Sequence, residues 1–472
     1  MSILARYFRL SESNTSVRTE LVAGVTTFLT MAYIIFVQPA VLSGAMFETP
    51  TGMDFGAVTT ATCLAAALAT AVMGLAARYP IALAPGMGQN FFFVFTAIPA
   101  AAAVGAPEPW AAALGAVFVA GVLFLVISLV GLREKLMDAV SPNLKHGIAV
   151  GIGLFIAFIG LRNAQLVLVD PGTAVSMNPH LGSPDVIVFF VGFVVATVLH
   201  ARKVRGSIVL GVASSLALTL LLRSLLPLLP DAVSNSEVVT GSLLVTQFAP
   251  AHGIVALPPS MGPTFLQMDL ATAVSAAMIP IVIIFLFMDV FDTMGTLIGV
   301  GEQAGLLRDG KLPRVKRAML ADAFGTVAGA ALGTSTVTSY IESATGVEEG
   351  GKTGLTALVV AALFIAALFF YPIVAMVGSY PPITAPALVL VGAMMVRNVT
   401  RIDWTDYTEG VPAFLTIIGI PFFYSIADGI ALGLITYPVI KSLGRGASHV
   451  RWGMWVLAVV LLLYFVFVRS RI

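Results

Sequence analysis

The chain has 472 residues, of which 58% are hydrophobic and 10% charged, with a net charge of +1 and a mean hydropathy of +0.98. Soluble domains carry about a quarter charged residues, so this composition cannot coat a water-soluble particle and places the chain in a bilayer. A net charge this small gives no footprint for nucleic acid, and the single cysteine, Cys63, provides neither a disulfide framework nor a cysteine metal site.

The N-terminal stretch through Glu20 lacks the apolar core of a signal peptide and reads as a cytoplasmic segment, with Ile3, Leu4, Tyr7, Phe8 and Leu10 suited to a short amphipathic helix. A bilayer-crossing helix needs roughly 20 apolar residues, and candidate spans follow at Val17–Val37, Ala57–Ala77, Leu83–Ile98, Trp110–Val130, Leu144–Leu161, Asp185–Leu199 and Gly206–Leu222. A polar stretch from Ser224 to Asp269 separates these from Leu270–Ile298, Val315–Leu332, Gly333–Gly346, Leu355–Val377, Ile383–Val396, Val411–Tyr424, Asp428–Ile440 and Trp452–Val468. Cationic clusters at Arg6/Arg9/Arg18, Arg78, Arg133/Lys135/Lys145, Arg202/Lys203/Arg205, Arg308/Lys311/Arg314/Lys316/Arg317, Lys352 and Arg397/Arg401 each follow zero or an even number of spans, whereas Ser224–Asp269 has no Lys or Arg. The positive-inside rule puts these clusters and the N-terminus in the cytoplasm. Lys441, Arg445 and Arg451 follow the thirteenth and fourteenth runs, both shorter than a full crossing, and two half-depth helices that turn back would leave this cluster inside; Arg469 and Arg471 leave the crossing of Trp452–Val468 open.

Seven spans, a long loop and seven more suggest a duplication whose second copy is inverted. Short similarities agree, such as Gly206-Ser-Ile-Val-Leu-Gly211 with Gly429-Ile-Ala-Leu-Gly433. The third and tenth spans are interrupted at matching places. In the third, Pro85, Gly86 and Gly88 break the helix and Asn90 is suited to cap the apolar run after it. In the tenth, β-branched and hydroxyl residues alternate from Thr334 to Ser339, which predicts an extended segment leading into a short helix near Glu342. Extended backbone survives at membrane depth only against protein or a wet cavity. Ordinary kinked helices are the alternative.

The eighth span carries Asp289 and Asp292 on one helical face with Thr293 and Thr296. Asp322 in the ninth and Glu342 in the tenth add two more acids, and no Lys or Arg lies within these spans. Intramembrane carboxylates are costly and face a cavity or a partner. Without a cation they suit a neutral, hydrogen-bonding solute together with a proton. Phe91, Phe92, Phe93 and Phe95 offer flat apolar surface, equally suited to packing. Gly346-Val-Glu-Glu-Gly-Gly-Lys352-Thr353 fits a phosphate-loop spacing, but it lacks the strand before it and the soluble helix after it. No metalloprotease or hydrolase motif occurs, so an enzyme is not expected.

Four strings, Thr26 to Val37, Ala84-Pro-Gly-Met-Gly-Gln-Asn90, Phe287-Met-Asp-Val-Phe-Asp-Thr-Met-Gly-Thr-Leu297 and Gly333 to Gly354, resemble the nucleobase/ascorbate transporter (nucleobase–cation symporter) family and its AzgA-like branch of adenine, guanine and hypoxanthine permeases. The resemblance covers essentially the whole chain. It implies an all-α, uracil-permease-like fold of about 14 segments in a 7+7 inverted repeat. The implied organisation is a cytoplasmic N-terminus 1–17, a core domain 18–130 and 270–377, a gate domain 131–228 and 378–472 ending in the extra hydrophobic segment, and an external loop 229–269. It further implies an inner-membrane proton symporter of purine bases working by alternating access. Asp289, Glu342 and Asn90 would hold the base, with Gly88 and Phe91 beside them, and Asp292, Asp322 and Thr338 would couple the proton or support the site. Asp289 is preferred over Asp292 as the direct ligand. No cofactor or metal is expected; sodium in place of the proton, a facilitative carrier and a homodimer remain compatible with these residues. An anion exchanger or channel on the same fold is the competing reading, disfavoured because Asp289 and Glu342 would repel an anion.

Overall fold

The computed structural model describes residues 6–47, 50–131, 140–306, 312–444, 450 and 452–467. Arg133, Lys135, Arg308, Lys311, Arg445, Arg451, Arg469 and Arg471 of the cationic pattern lie outside these, as do Ile3 and Leu4. Phe8 and Leu10 are buried against Leu355, and Tyr7 donates from its hydroxyl to the carbonyl of Leu75 at 3.1 Å, so the N-terminal segment is pinned to the bundle.

The first span is two helices, α1 (Val17–Met31) and α2 (Ile34–Leu42), broken at Ala32 and Tyr33. There follow α3 (Phe55–Val72), extended by a π-turn to Ala77; strand β1 (Leu83–Pro85); α4 (Met87–Phe92), continuing through a second π-turn into α5 (Ile98–Ala103); and α6 (Pro109–Val130). Next come α7 (Pro142–Asn163), a small hairpin β2 (Val167–Asp170) and β3 (Ala174–Met177), α8 (Pro184–Ala201) and α9 (Ser207–Leu225). The second half holds α10 (Ile279–Gln303), α11 (Val315–Leu332), β4 (Val337–Ser339), α12 (Ser343–Glu348), α13 (Gly354–Ala367), α14 (Tyr371–Gly378), α15 (Pro381–Val396), α16 (Tyr407–Phe422), α17 (Ile426–Leu443) and α18 (Trp452–Phe467). Local chemistry sets the ends. Pro opens α6, α7, α8 and α15, where its missing N–H costs nothing. Ser16, Asp54, Ser183, Asp406 and Ser425 cap helices with their side-chain oxygens.

Among the described residues ten helices are long and apolar enough to cross a membrane. The remaining expected spans are the two broken segments, α11 and α16. The eighth span starts at Ile279 rather than Leu270, because Leu270–Ala273 forms a separate turn capped by Asp269. The thirteenth and fourteenth spans are longer than their apolar runs, at 16 and 18 residues, or about 24 and 27 Å at ~1.5 Å per residue. The thirteenth, short and with a polar first turn capped by Asp406, escapes a hydropathy count, whereas the fourteenth is among the ten. They form a hairpin, and Lys441 at the end of α17 bonds both Asp406 and Glu409 at the start of α16, each at 3.0 Å. Hydrogen bonds from Thr408 and then Lys441 hold the Asp406 carboxyl down at about 2. This hairpin returns Lys441 to the end where Arg397 and Arg401 lie.

Packing divides the helices into two groups. In one, α6 packs on α10 and α11, and α13 packs on α1 and α3, with α11 also against α3. In the other, α7 packs on α15, α16 and α17, and α15 on α8 and α9. Helix α18 lies on α17.

Within the first group β1 and β4 pair antiparallel, Leu83 opposite Ser339, Ala84 opposite Thr338 and Pro85 opposite Val337. Each strand's outer edge is satisfied by one threonine hydroxyl. Thr70 of α3 bonds the N–H and C=O of Leu83 at 2.8 and 2.9 Å, and Thr326 of α11 bonds those of Val337 at 3.2 and 3.0 Å. This is how extended backbone is tolerated at bilayer depth.

The phosphate-loop pattern also finds its physical explanation. Glu20 of α1 is fully buried, and its carboxylate accepts from the backbone N–H of Lys352, Thr353 and Thr356 at 3.0, 3.3 and 3.2 Å and from the Thr356 hydroxyl at 2.6 Å. The amides that would cradle a phosphate hold an internal anion at the start of α13.

Candidate functional site

The crossing of β1 and β4 aims two helix starts, α4 and α12, at one region. The helix after β1 begins at Met87 with Gly86 as its cap residue, so Asn90 lies inside α4 and does not cap it, and Gly88 is helical. Gly86 is extended, at φ −75° and ψ 128°, and the chain turns helical at Met87, one residue later. The extended tract of the tenth span is confined to Val337–Ser339, and Glu342 stands at the cap of α12 as expected.

Asn90 is fully buried in a network that joins three segments. It donates to Gln38 of α2 and accepts from Ser335, while Gln38 donates to Thr334 at 2.9 Å and Ser335 at 3.2 Å. Gly88 faces Ile152 of α7, which would stand 3.0 Å from a Cβ there. Phe91 is fully buried in an aromatic cluster with Phe47, Phe95 and Phe155. Phe95 and Phe155 in turn meet Tyr424, 4.9 and 5.2 Å between centroids, and Arg162 donates to the Tyr424 hydroxyl at 3.2 Å.

The four acids separate into two environments. Asp289 is 1% exposed. It accepts from Thr326 at 2.8 Å, behind β4, and its other oxygen has no partner. Asp322 is fully buried and accepts from Ser339 at 3.0 Å. Asp292 is exposed, and Gln89 of α4 donates to it at 3.3 Å. Glu342, 9% exposed, accepts from the Tyr33 hydroxyl at 2.8 Å, and Asp292 lies within electrostatic reach of both Glu342 and Tyr33. Thr338 bonds Thr293 at 2.9 Å, tying β4 to α10. Exposure continues along α10 through Gly295, Ile298 and Gly299, at helical spacing, and Ile341 opposite is 48% exposed. Asp292 and Glu342 therefore sit at the inner end of an open face that runs toward the end of the bundle bearing Lys145, Arg314 and Lys316.

Gln38, Gln89, Tyr33 and Thr326 were not singled out from the sequence. The available signal was an amide or hydroxyl in an otherwise apolar span, which must find a partner when buried. Among the described residues no cluster of three or more metal-ligating side chains occurs.

The Permease family matches residues 18–432. The chain is 45% identical over 471 residues to the putative permease MJ0326 of Methanocaldococcus jannaschii, covering 100% of both. It is 42% identical to the guanine/hypoxanthine permease PbuG of Bacillus subtilis, covering 98% of this chain and 99% of that one. It is 39% identical to the adenine permease AdeP of Escherichia coli, covering 94% and 91%. In fold it is similar to the transmembrane domain of a cyanobacterial bicarbonate transporter, BicA, with a TM-score of 0.61 at 13% identity, covering 88% of this chain and 97% of that one. On these grounds the chain belongs to the Permease family, in the nucleobase/ascorbate transporter group and its AzgA-like branch, and it is a transporter rather than an enzyme.

Proposed function

We propose that the protein imports purine nucleobases across the inner membrane by proton symport, with alternating access between two groups of helices. The observation that carries this is the pair of carboxylates, Asp292 on α10 and Glu342 at the head of α12, facing one open approach, with no Lys or Arg on either element. Ionised carboxylates in such a place accept the N–H groups of a neutral heterocycle and, in exchange, take up a proton. Relatives at about 40% identity along the full chain, whose names specify guanine, hypoxanthine or adenine, support the substrate class. Exposure ranks Asp292 ahead of Asp289 as the direct ligand; Asp289 and Asp322 brace β4 from behind, and Asn90 ties α4 to α2 and the tenth span.

A 7+7 inverted repeat of 14 spans accounts for several pairings at once. Exchanging the halves turns α3 on α13 into α11 on α6, and α1 on α13 into α10 on α6. It also turns the Thr70 edge of β1 into the Thr326 edge of β4. The group with α1 to α6 and α10 to α14 is the substrate-holding core, and the group with α7 to α9 and α15 to α17 is the gate. Aromatic contacts of Phe91 and Phe95 with Phe155 and Tyr424 close the core–gate seam on the side away from the basic end, while the exposed face of α10 leaves the basic, cytoplasmic side open.

The anion-exchange reading draws on the bicarbonate transporter's fold, but likeness at 13% identity carries the fold alone, and the two acids oppose an anion. Uptake of labelled hypoxanthine into energised vesicles, competed by purines, sulfate or bicarbonate, separates the readings. Purines should compete and a protonophore should abolish accumulation in sodium-free medium. Competition by bicarbonate alone would overturn the assignment.

A further inference from the structure

The structure assigns Gln89 a specificity role: we propose that its carboxamide holds Asp292 as an ionised acceptor and thereby favours 6-oxopurines over adenine, a reading that rests on the purine-transport function above. Gln89 is 1% exposed and extends from α4 to the exposed Asp292 of α10, donating from Nε2 to Asp292 Oδ2 at 3.3 Å. Its place depends on Gly86. A Cβ at residue 86 would lie 2.8 Å from the Gln89 carboxamide carbon and 2.8 Å from Thr338 Cγ2. Gly86 adopts φ −75°, a conformation open to any residue, so this glycine is required for space and not for its backbone freedom.

The chemistry follows from the donor inventory. An amide N–H can only donate, so it stabilises Asp292 in the state that accepts. Across the site, Glu342 is bonded instead by the Tyr33 hydroxyl, which donates to a carboxylate or accepts from a carboxylic acid. Of the two acids, Asp292 is the fixed acceptor and Glu342 the one whose partner tolerates a proton. Tyr340 and Asp292 are the other titratable groups acting on Glu342 and Tyr33. A 6-oxopurine presents N1–H, and guanine adds its 2-amino group, so both pair with an ionised carboxylate at Asp292. Adenine presents a bare N1 lone pair there, which a carboxylate repels. Sites built to bond a ring N–H discriminate strongly against analogues that lack it.

The test is thermal stabilisation of the full-length detergent-purified protein by hypoxanthine, guanine and adenine, with uptake in proteoliposomes alongside. Wild type should bind hypoxanthine about tenfold more tightly than adenine, a difference of one decade in Kd. Gln89→Met, which keeps the length and removes the donor, should bring that ratio to near one, mainly by raising the apparent KM for hypoxanthine and guanine. Gly86→Ala, which leaves Gln89 chemically intact but displaces it, should shift the ratio the same way. An unchanged ratio in folded Gln89→Met protein, or a wild-type preference for adenine, overturns the proposal while leaving purine transport in place. If no purine stabilises or enters wild type, the transport reading falls and this one with it.

Discussion

Asp289 and Asp292 illustrate how three residues along one helix can meet different surroundings. Both are acids on the same face, yet one is sealed behind β4 against Thr326 and the other opens toward solvent beside Gln89. Glu342→Gln and Asp292→Asn should each keep normal expression while raising the apparent KM for purine. The lost charged hydrogen bond amounts to about 1.5–3 kcal/mol, roughly tenfold to a hundredfold. Asp289→Asn should instead lower the thermal midpoint more than it alters KM, since its carboxylate contacts the scaffold. A large KM effect at 289 with none at 292 would return the ligand role to Asp289. The four acids were legible as candidates because charge in an apolar span is conspicuous. Their ranking was not, because it depends on which neighbour covers each oxygen.

At the scale of elements, the broken spans were readable from Pro85, Gly86 and the Thr–Ser alternation, and the β1–β4 pairing answers the need to satisfy their amides. The exact helix start was misplaced at Asn90, a good capping residue that is drawn into the Gln38–Ser335 network by tertiary contacts. Likewise Gly346 to Thr353 has the spacing of an anion loop, and at its end the amides of Lys352 and Thr353 bond the Glu20 carboxyl. Glu20→Ala should strand the amides of Lys352, Thr353 and Thr356 in a buried site at about 1–3 kcal/mol for each unsatisfied group. The expected outcome is a marked fall in the thermal midpoint of the purified protein, a smaller one for Glu20→Gln, and no nucleotide binding in either. A midpoint unmoved by Glu20→Ala would show that the carboxylate bonds contribute nothing.

For the whole molecule the question is which side of the membrane reaches the site. The Arg205–Glu349 ion pair joins the two helix groups near the basic end, but it is exposed, and such pairs contribute about 0–1 kcal/mol. The aromatic seam of Phe91, Phe95, Phe155 and Tyr424 is the larger barrier, each ring pair adding about 0.5–1.5 kcal/mol beyond its area. In a Cys63→Ser background, Gly295→Cys should label from the cytoplasm and Thr240→Cys from outside. A Cβ at 295 meets nothing within 4 Å, so the probe position is tolerated. Adding Phe155→Ala and Tyr424→Ala should make Gly295→Cys reactive from outside as well. Labelling of the single variants from the opposite sides would reverse the orientation.

Composition and patterning alone determined that this chain lives in lipid, that most of its Lys and Arg fall in alternate connections between spans, that two spans are interrupted, and that four acids lie among them. These are properties of one-dimensional order, because hydropathy, helix breaking and charge cost are local. Tertiary structure alone decided that Gln38, Gln89, Tyr33 and Thr326 are the partners of Asn90 and the acids, and that Asp292 rather than Asp289 meets the open face. Those contacts join residues from 37 to more than 300 positions apart. A hydrogen bond between distant segments exists only once the packed bundle has brought both ends together and excluded water from one of them.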